Sequence, residues 1–308
     1  MIGHLCMDVI HHPDGTESRG YGGIFYSVAA LANLLPPADT IVPVFGVGKE
    51  EHDALLERLG GYPNIDVSGI FTFTGPTNEV HLYYSDTARR IECSKHISDP
   101  VSMKRIRPFL HTDMLLVNMI SGFDIELETL DEIRMDVRDD HTPVYLDVHS
   151  LTLGVKDDFT RYHRPVEVWR RWLFMIHAAQ MNEEEAAILS PEKFDEETLA
   201  RHALALNTKM LAITRGARGA TAFIDEHKHV RRVDTDAERV DGAADPTGCG
   251  DVFAAAYCAR YLRTSDIVES VRFANRVAGA KAAIHGPDAI DRLGAFRLEE
   301  VTRVGAPL

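Results

Sequence analysis

The chain has no Cys-x-x-Cys pair: Cys6, Cys93, Cys249 and Cys258 are its only cysteines. That spacing excludes a dense disulfide framework and a four-thiolate zinc site, and it fits a reducing compartment. No stretch reaches the roughly 18 apolar residues that a membrane span requires. The opening, with His4, Asp8, His11, His12 and Asp14, does not have the make-up of a secretory leader, so a cytoplasmic protein is expected. Positive charge is also scarce. Lys and Arg number 33 against 47 Asp and Glu, a formal net charge of −14. Such a surface repels a phosphate backbone and argues against general nucleic-acid binding, while leaving room for a local basic pocket. There is no internal repeat and no low-complexity tract. Glycine (22) and proline (14) are at ordinary levels, which excludes a collagen-like chain.

What is present is an α/β rhythm. The 308 residues, 45% of them apolar, suffice for a full-sized core. Residues 24–35 have helical spacing and are stopped by Pro36-Pro37. Beyond residue 99, strands at 114–117, 144–148 and 210–214 alternate with helices at 125–139, 183–189 and 196–206. An antiparallel pair is expected at 220–224 and 229–233, then helices at 251–262 and 266–285. This alternation predicts an α/β fold, a three-layer α/β/α sandwich around a largely parallel sheet. Residues 65–84 change period, reading as short strands around Gly75-Pro76-Thr77-Asn78. With the turn-rich start they predict a small sheet outside the main fold, formed by insertions at about 9–21 and 65–84 in one domain spanning 1–308. Only Met1-Ile2 precede the first glycine, so the first strand reads as a stub or a truncated strand.

The sharpest local signal is Asp245-Pro246-Thr247-Gly248-Cys249-Gly250-Asp251, which runs into the helical Val252-Phe253-Ala254-Ala255-Ala256. The glycines permit close approach, and the first helical turn has free N–H groups that can receive an anion. No Gly-Lys-Ser/Thr follows, so this is not a P-loop. Asp251 can cap the helix, or it can accept a proton from an alcohol while the amides hold phosphoryl oxygens; spacing alone leaves both open. Asn182 and Glu185, three apart, equally suit an ordinary capping box.

The turn ending in Asp251 resembles the signature of the ribokinase-like (PfkB) carbohydrate kinase superfamily, and the resemblance extends over nearly the whole chain. Gly3 and Asp8 match the family's opening, Gly22 and Gly23 its paired glycines, Asn182 and Glu185 its Asn-x-x-Glu motif. Thr214, Gly216 and Gly219 match a Thr-x-Gly-x-x-Gly element, and Asn275 lies in the late helix that borders the nucleotide. The resemblance implies phosphoryl transfer from ATP to a hydroxyl of a sugar or sugar-like alcohol, under a small β-sheet lid. Asp251 is then the general base, and the amides of Gly248, Cys249 and Gly250 are the anion hole. Asp8, Gly22, Gly23 and Ser27 contact the acceptor. Asn182, Glu185, Thr214, Gly216, Gly219 and Asn275 serve the nucleotide. It further implies Mg²⁺, organised through water by Glu185, and allows K⁺ at Asp245 and Thr247. Asp147 and His149 fall on one side of an extended segment where related kinases carry phosphate-side residues, and Arg215 or Arg218 can meet a phosphate.

The chain departs from ribokinases proper at two acceptor positions. Ser27 and Cys6 stand where those enzymes carry asparagines, which argues against ribose. Phe25, Tyr26, Phe71 and Phe73 offer aromatic surface suited to a nucleoside or cyclic polyol, and Arg89, Arg90 and Lys95 a basic partner for a sugar acid. A nucleoside kinase of the same superfamily and a non-catalytic small-molecule-binding protein are the alternatives. Exposed apolar positions on the lid, Ile70, Phe71, Phe73 and Tyr83, predict a homodimer.

Overall fold

Along the strands of the main sheet, successive side chains enter different cores. Leu116, Tyr145, Ala178, Met210 and Ala212 face one; Val117, Leu146, Ala179, Leu211 and Ile213 face the other. A period-two strand that is apolar at both phases must be covered on both faces, and helices cover both here. A computed structural model describes residues 1–12, 14–84, 90–227, 229–237, 245–287 and 289–300. Arg89 lies outside the described residues, as does the side chain of Arg90.

The first part of the chain comprises β1 (Leu5–His11), β2 (Glu17–Gly23), α1 (Ile24–Leu34), β3 (Phe45–Gly48), α2 (His52–Leu59), β4 (Ile70–Phe73), β5 (Asn78–Tyr84) and β6 (Arg90–Lys95). The middle comprises α3 (Met103–Ile106), β7 (Leu115–Asn118), α4 (Leu127–Asp136), β8 (Val144–Asp147), β9 (Leu153–Val155), β10 (Arg161–His163), α5 (Trp169–Phe174), β11 (Ala178–Asn182), α6 (Glu183–Leu189) and α7 (Glu196–Leu204). The last part comprises β12 (Met210–Thr214), β13 (Ala220–Glu226), β14 (His229–Thr235), α8 (Cys249–Thr264) and α9 (Ile267–Ala282).

The main sheet has the order β14-β13-β12-β11-β8-β7. β7, β8, β11 and β12 are parallel, and β13 and β14 add an antiparallel margin. Helices α1, α8 and α9 pack on one face, α4, α5 and α7 on the other, giving the three layers expected. Small residues let the first group approach closely: Ala212 and Ala222 of the sheet share a core with Ala254, Ala255, Ala256 and Ala259 of α8. The stub strand at the start consists of one residue. Ile2 bridges Val117 and Val44, both in the parallel sense, and so joins β3 and β4 to the main sheet.

A separate four-stranded sheet has the order β2-β1-β5-β6. Its composition differs from the reading of insertions at 65–84. The segment Ile70–Phe73 pairs with Phe45–Gly48 instead, because Ile70 and Phe71 are claimed by the two cores. The Arg105 guanidinium lies 4.6 Å over the Phe71 ring. Only Asn78–Tyr84 of that stretch enters the small sheet, and its fourth strand, Arg90–Lys95, comes from beyond it.

Trp169 is fully buried on the α4–α7 side, and its indole N–H donates to Glu192 at 3.3 Å. Trp169→Ala is expected to lower stability by about 3–5 kcal/mol, the usual range for removing a buried indole. Urea unfolding should show a lower midpoint at an unchanged slope. A midpoint within error of the parent would contradict this packing.

Candidate active site

The four parallel strands end in polar residues: Asn118 on β7, Asp147 on β8, Asn182 on β11 and Thr214 on β12. Register sets Asn118 beside Asp147, Asp147 beside Gln180, and Asn182 beside Thr214. A crevice outside the carboxyl ends of parallel strands is where open α/β sheets bind ligands. The N-terminus of α8 is delivered into this crevice.

Several contacts fix that N-terminus. Gly248 precedes the helix in the left-handed conformation, with φ of 76°. A Cβ there would lie 2.5 Å from the Tyr26 ring, so the turn rests directly on an aromatic face. The Gln180 amide donates to the Gly250 carbonyl at 2.8 Å and is itself oriented by the Tyr145 hydroxyl at 2.9 Å. Ser27 donates to the Asp251 carbonyl at 3.1 Å. Ser27 thus joins α1 to α8, its hydroxyl engaged by the Asp251 carbonyl. Gly250 is an ordinary helical residue, and a Cβ on it would meet only Gln180, at 3.9 Å. The turn residue that requires glycine is Gly248. The Cys249 amide is spent on the Pro246 carbonyl at 3.1 Å. Among the described residues the amides of Gly248 and Gly250 have no such backbone partner.

Asp251 is buried, and Asn118 bridges it to Asp147, with Nδ2 donating at 3.3 Å to Asp251 and at 3.1 Å to Asp147. The Asn118 carbonyl oxygen is buried with no partner among the described residues. Burial pushes the Asp147 and Asp251 carboxyls well above the usual carboxylate range, against the pull of the His149 charge. His149 has a left-handed φ of 33°, unfavourable for a residue with a Cβ. Its Nδ1 lies 3.7 Å from Glu185. Burial lowers the His149 pKa, but Glu185, Asp147 and Asp251 outweigh it and raise it to about 10, so the ring is an imidazolium at neutral pH.

Asn182 and Glu185 form the capping box in full. Asn182 Oδ1 accepts from the Glu185 amide at 2.9 Å, and Glu185 Oε2 accepts from the Asn182 amide at 2.8 Å. The same box turns the other oxygen, Oε1, toward His149. Asp245 accepts from the amides of Thr247 and Gly286, each at 3.0 Å. The buried Lys281 ammonium is 3.8 Å away.

Asp8 lies on β1, and Gly22 is its steric counterpart: a Cβ on Gly22 would fall 2.3 Å from the Asp8 carboxylate. The Cys6 thiol donates to Asp8 at 3.4 Å. Burial, and after it the charges of Asp8, Asp245 and Asp251, push the Tyr26 hydroxyl up. Gly23, with φ of 59°, ends β2 at the start of α1. Phe25 and Tyr26 belong to the core. Gly216 and Gly219 flank the turn after Thr214, and Asn275 donates to the Asp236 carbonyl at 2.7 Å. Arg215 pairs with Glu183 and Glu196, and Arg218 pairs with Glu183. Both guanidiniums are therefore held by carboxylates of this chain.

Sequence reasoning missed Asn118, Gln180 and Lys281. Asn118 ends the apolar run Leu115-Leu116-Val117 just as Asp147 ends Val144-Tyr145-Leu146, a parallel that was available. Gln180 carried no signal, since a polar residue inside a buried strand is explained only by what lies across from it.

Residues 155–291 match the sequence model of the pfkB family carbohydrate kinases. A cytidine kinase of Thermococcus kodakarensis is 24% identical over 278 residues, covering 88% of this chain and 91% of that protein. A pyrophosphate-dependent kinase in the ribokinase family, solved with sulfate, superposes with a TM-score of 0.78 at 18% identity, over 96% of this chain and 98% of the other. A ribokinase of Arabidopsis thaliana, complexed with ribose and ATP, superposes with a TM-score of 0.70 at 17% identity, over 96% and 97%.

A buried carboxylate pair is costly to ionise, so Asp147→Asn should stabilise the ligand-free protein. Asparagine keeps the size and still accepts from Asn118. The folded Asp147 pKa is raised, so the wild type loses stability as pH climbs from about 4, the unfolded value, to that raised value. The melting-temperature advantage of the variant should widen over this window and then level. An advantage that narrows with rising pH would contradict the assignment.

Proposed function

Because the chain belongs to the ribokinase-like (PfkB) carbohydrate kinase superfamily, we propose that it transfers the γ-phosphoryl group of ATP to a hydroxyl of a sugar or sugar-like alcohol. The observation that carries this reading is a buried carboxylate, Asp251, in the first turn of a helix opened by Gly248 and set against the polar strand ends Asn118 and Asp147. Asp8, made possible by Gly22, orients the acceptor by accepting from its hydroxyls. Asp251 takes the proton of the attacking hydroxyl. The oxygen bonds to phosphorus as the bond to the leaving ADP breaks, with the amides holding the phosphoryl oxygens. Its raised pKa places the base nearer neutrality, where proton transfer is most effective. His149, as an imidazolium, supplies fixed positive charge on the phosphate side. Thr214, Gly216, Gly219 and Asn275 border the nucleotide.

The acidic cluster of Asp147, Asp251 and Glu185 suits Mg²⁺. Among the described residues no group of three or more ligands is arranged to hold a metal by itself. That fits an ion that keeps several waters and binds chiefly to the donor phosphates. When bound, Mg²⁺ neutralises charge on the transferring group; the Glu185 carboxylate would orient its waters.

A nucleoside acceptor is the second reading, favoured by the 24% identity to a cytidine kinase across 88% of the chain. The small sheet would close over either acceptor and exclude water. Its exposed apolar side chains, Tyr83 at 36% and Ile91 at 54%, would meet a second subunit, and light scattering would count the subunits.

A phosphorylation screen of sugars, polyols and nucleosides, with ATP and pyrophosphate as donors in parallel, tests the reading. Asp251→Asn should cut turnover by at least about 10²-fold with donor affinity nearly intact. Wild-type activity should fall as pH drops through the raised Asp251 pKa, because the protonated carboxyl cannot accept. Unchanged turnover in the variant would remove Asp251 as the base.

A further inference from the structure

Lys281 lies within Ala278-Gly279-Ala280-Lys281-Ala282-Ala283 on α9, and none of its surface reaches solvent. A lysine buried this completely needs a partner. Its ammonium donates to the Ile284 carbonyl at 2.9 Å. It stands 3.8 Å from Asp245 and 5.4 Å from the centre of the Tyr26 ring. These groups surround the turn into α8. Asp245 opens the turn, Tyr26 lies beneath Gly248, and Ile284 belongs to the segment whose Gly286 amide binds the same Asp245 carboxylate.

The residues here do not fit a monovalent cation. Such an ion must exchange its hydration shell for several protein oxygens. The Asp245 carboxylate is engaged by Thr247, Gly286 and the Lys281 ammonium. The carbonyls of Pro246, Ala282 and Ile284 accept from Cys249, Asp245 and Lys281 respectively. A second positive charge beside a buried ammonium would also be repelled with little screening.

We propose that the Lys281 ammonium takes the place of that cation. It is tethered to α9, holds Asp245 and residues 283–286 against the turn, and lends positive charge to the helix N-terminus. Lys281 is a positioning residue, and the protein needs no K⁺. The role assigned to the turn rests on the kinase reading, whereas the cation requirement can be measured without catalysis.

The test compares melting temperatures in KCl, NH₄Cl and tetramethylammonium chloride at equal ionic strength. Wild type should melt at the same temperature in all three. Lys281→Met, which keeps the length and removes the charge, and Lys281→Ala, which leaves space for an ion, should melt lower in tetramethylammonium. Each should regain at least about 3 °C, saturably, in KCl or NH₄Cl. A merely structural lysine would show no cation-selective recovery. Saturable stabilisation of wild type by K⁺ overturns the proposal, and so does a folded variant without a K⁺-specific gain. If neither variant folds, the wild-type titration decides by itself: indifference to K⁺ supports the proposal and selective stabilisation defeats it. Where an acceptor has been identified, turnover of wild type should be independent of K⁺ and that of Lys281→Met should become dependent on it. Failure to find any acceptor would count against the kinase reading and leave the melting comparison intact.

Discussion

Burying the Asp251 carboxylate at the first turn of α8 is the constraint to which the rest of the crevice answers. An ionised carboxyl out of water is expensive unless it is hydrogen-bonded or near positive charge. The structure meets that cost from three sides. The helix N-terminus provides partial positive charge, Asn118 donates a hydrogen bond, and His149 with Lys281 contributes full charges. The compensation is incomplete, as the raised carboxyl pKa shows, and an incompletely compensated carboxylate is one that can accept a proton.

Positioning that carboxylate is a matter of packing from below. The turn sits on Tyr26 through Gly248, and Gln180 and Ser27 tie carbonyls of the first helical turn to β11 and α1. Behind them, the alanines of α8 let the helix lie close to the sheet, where each strand ends in a polar side chain. Moving the helix would uncouple Asp251 from Asn118 and Asp147 together. The small residues that fill one face of the sheet thus also set the depth at which Asp251 lies. Strain is concentrated at the same place, in the left-handed backbone of His149 between Asp147 and Glu185.

The two sheets divide the work. The main sheet, its four parallel strands buried between helices, carries Asn118, Asp147, Asn182 and Thr214 at its strand ends. The small sheet carries Asp8. The cores explain why Ile70 and Phe71 could not serve both sheets. β4 is drawn beside β3 and these two side chains pack against the main body, while Tyr83 and Ile91 remain at the surface. Ser27 and Cys6 are likewise turned inward, toward the Asp251 carbonyl and the Asp8 carboxylate.

Much of this was legible in the residues. Apolar runs at the strands, helical spacing between them and the two-glycine turn before Asp251 are local patterns with local causes. They determined the α/β class, the alternation of strands and helices that builds the main sheet, and the candidate base. The Asn182–Glu185 spacing also foretold a capping box, because a cap is made by residues one turn apart. What the sequence could not determine is which distant residues share a wall. Asn118 and Asp251 are 133 positions apart, and Ser27 and Asp251 are 224 apart. Their meeting depends on strand order and on the depth of α8, which are properties of the packed whole. Lys281 shows the difference most plainly. As a letter it is one lysine on an alanine-rich helix. Only the closing of α9 over the turn to Asp251 buries its charge beside Asp245, because burial and pairing are set by what the fold brings around a side chain.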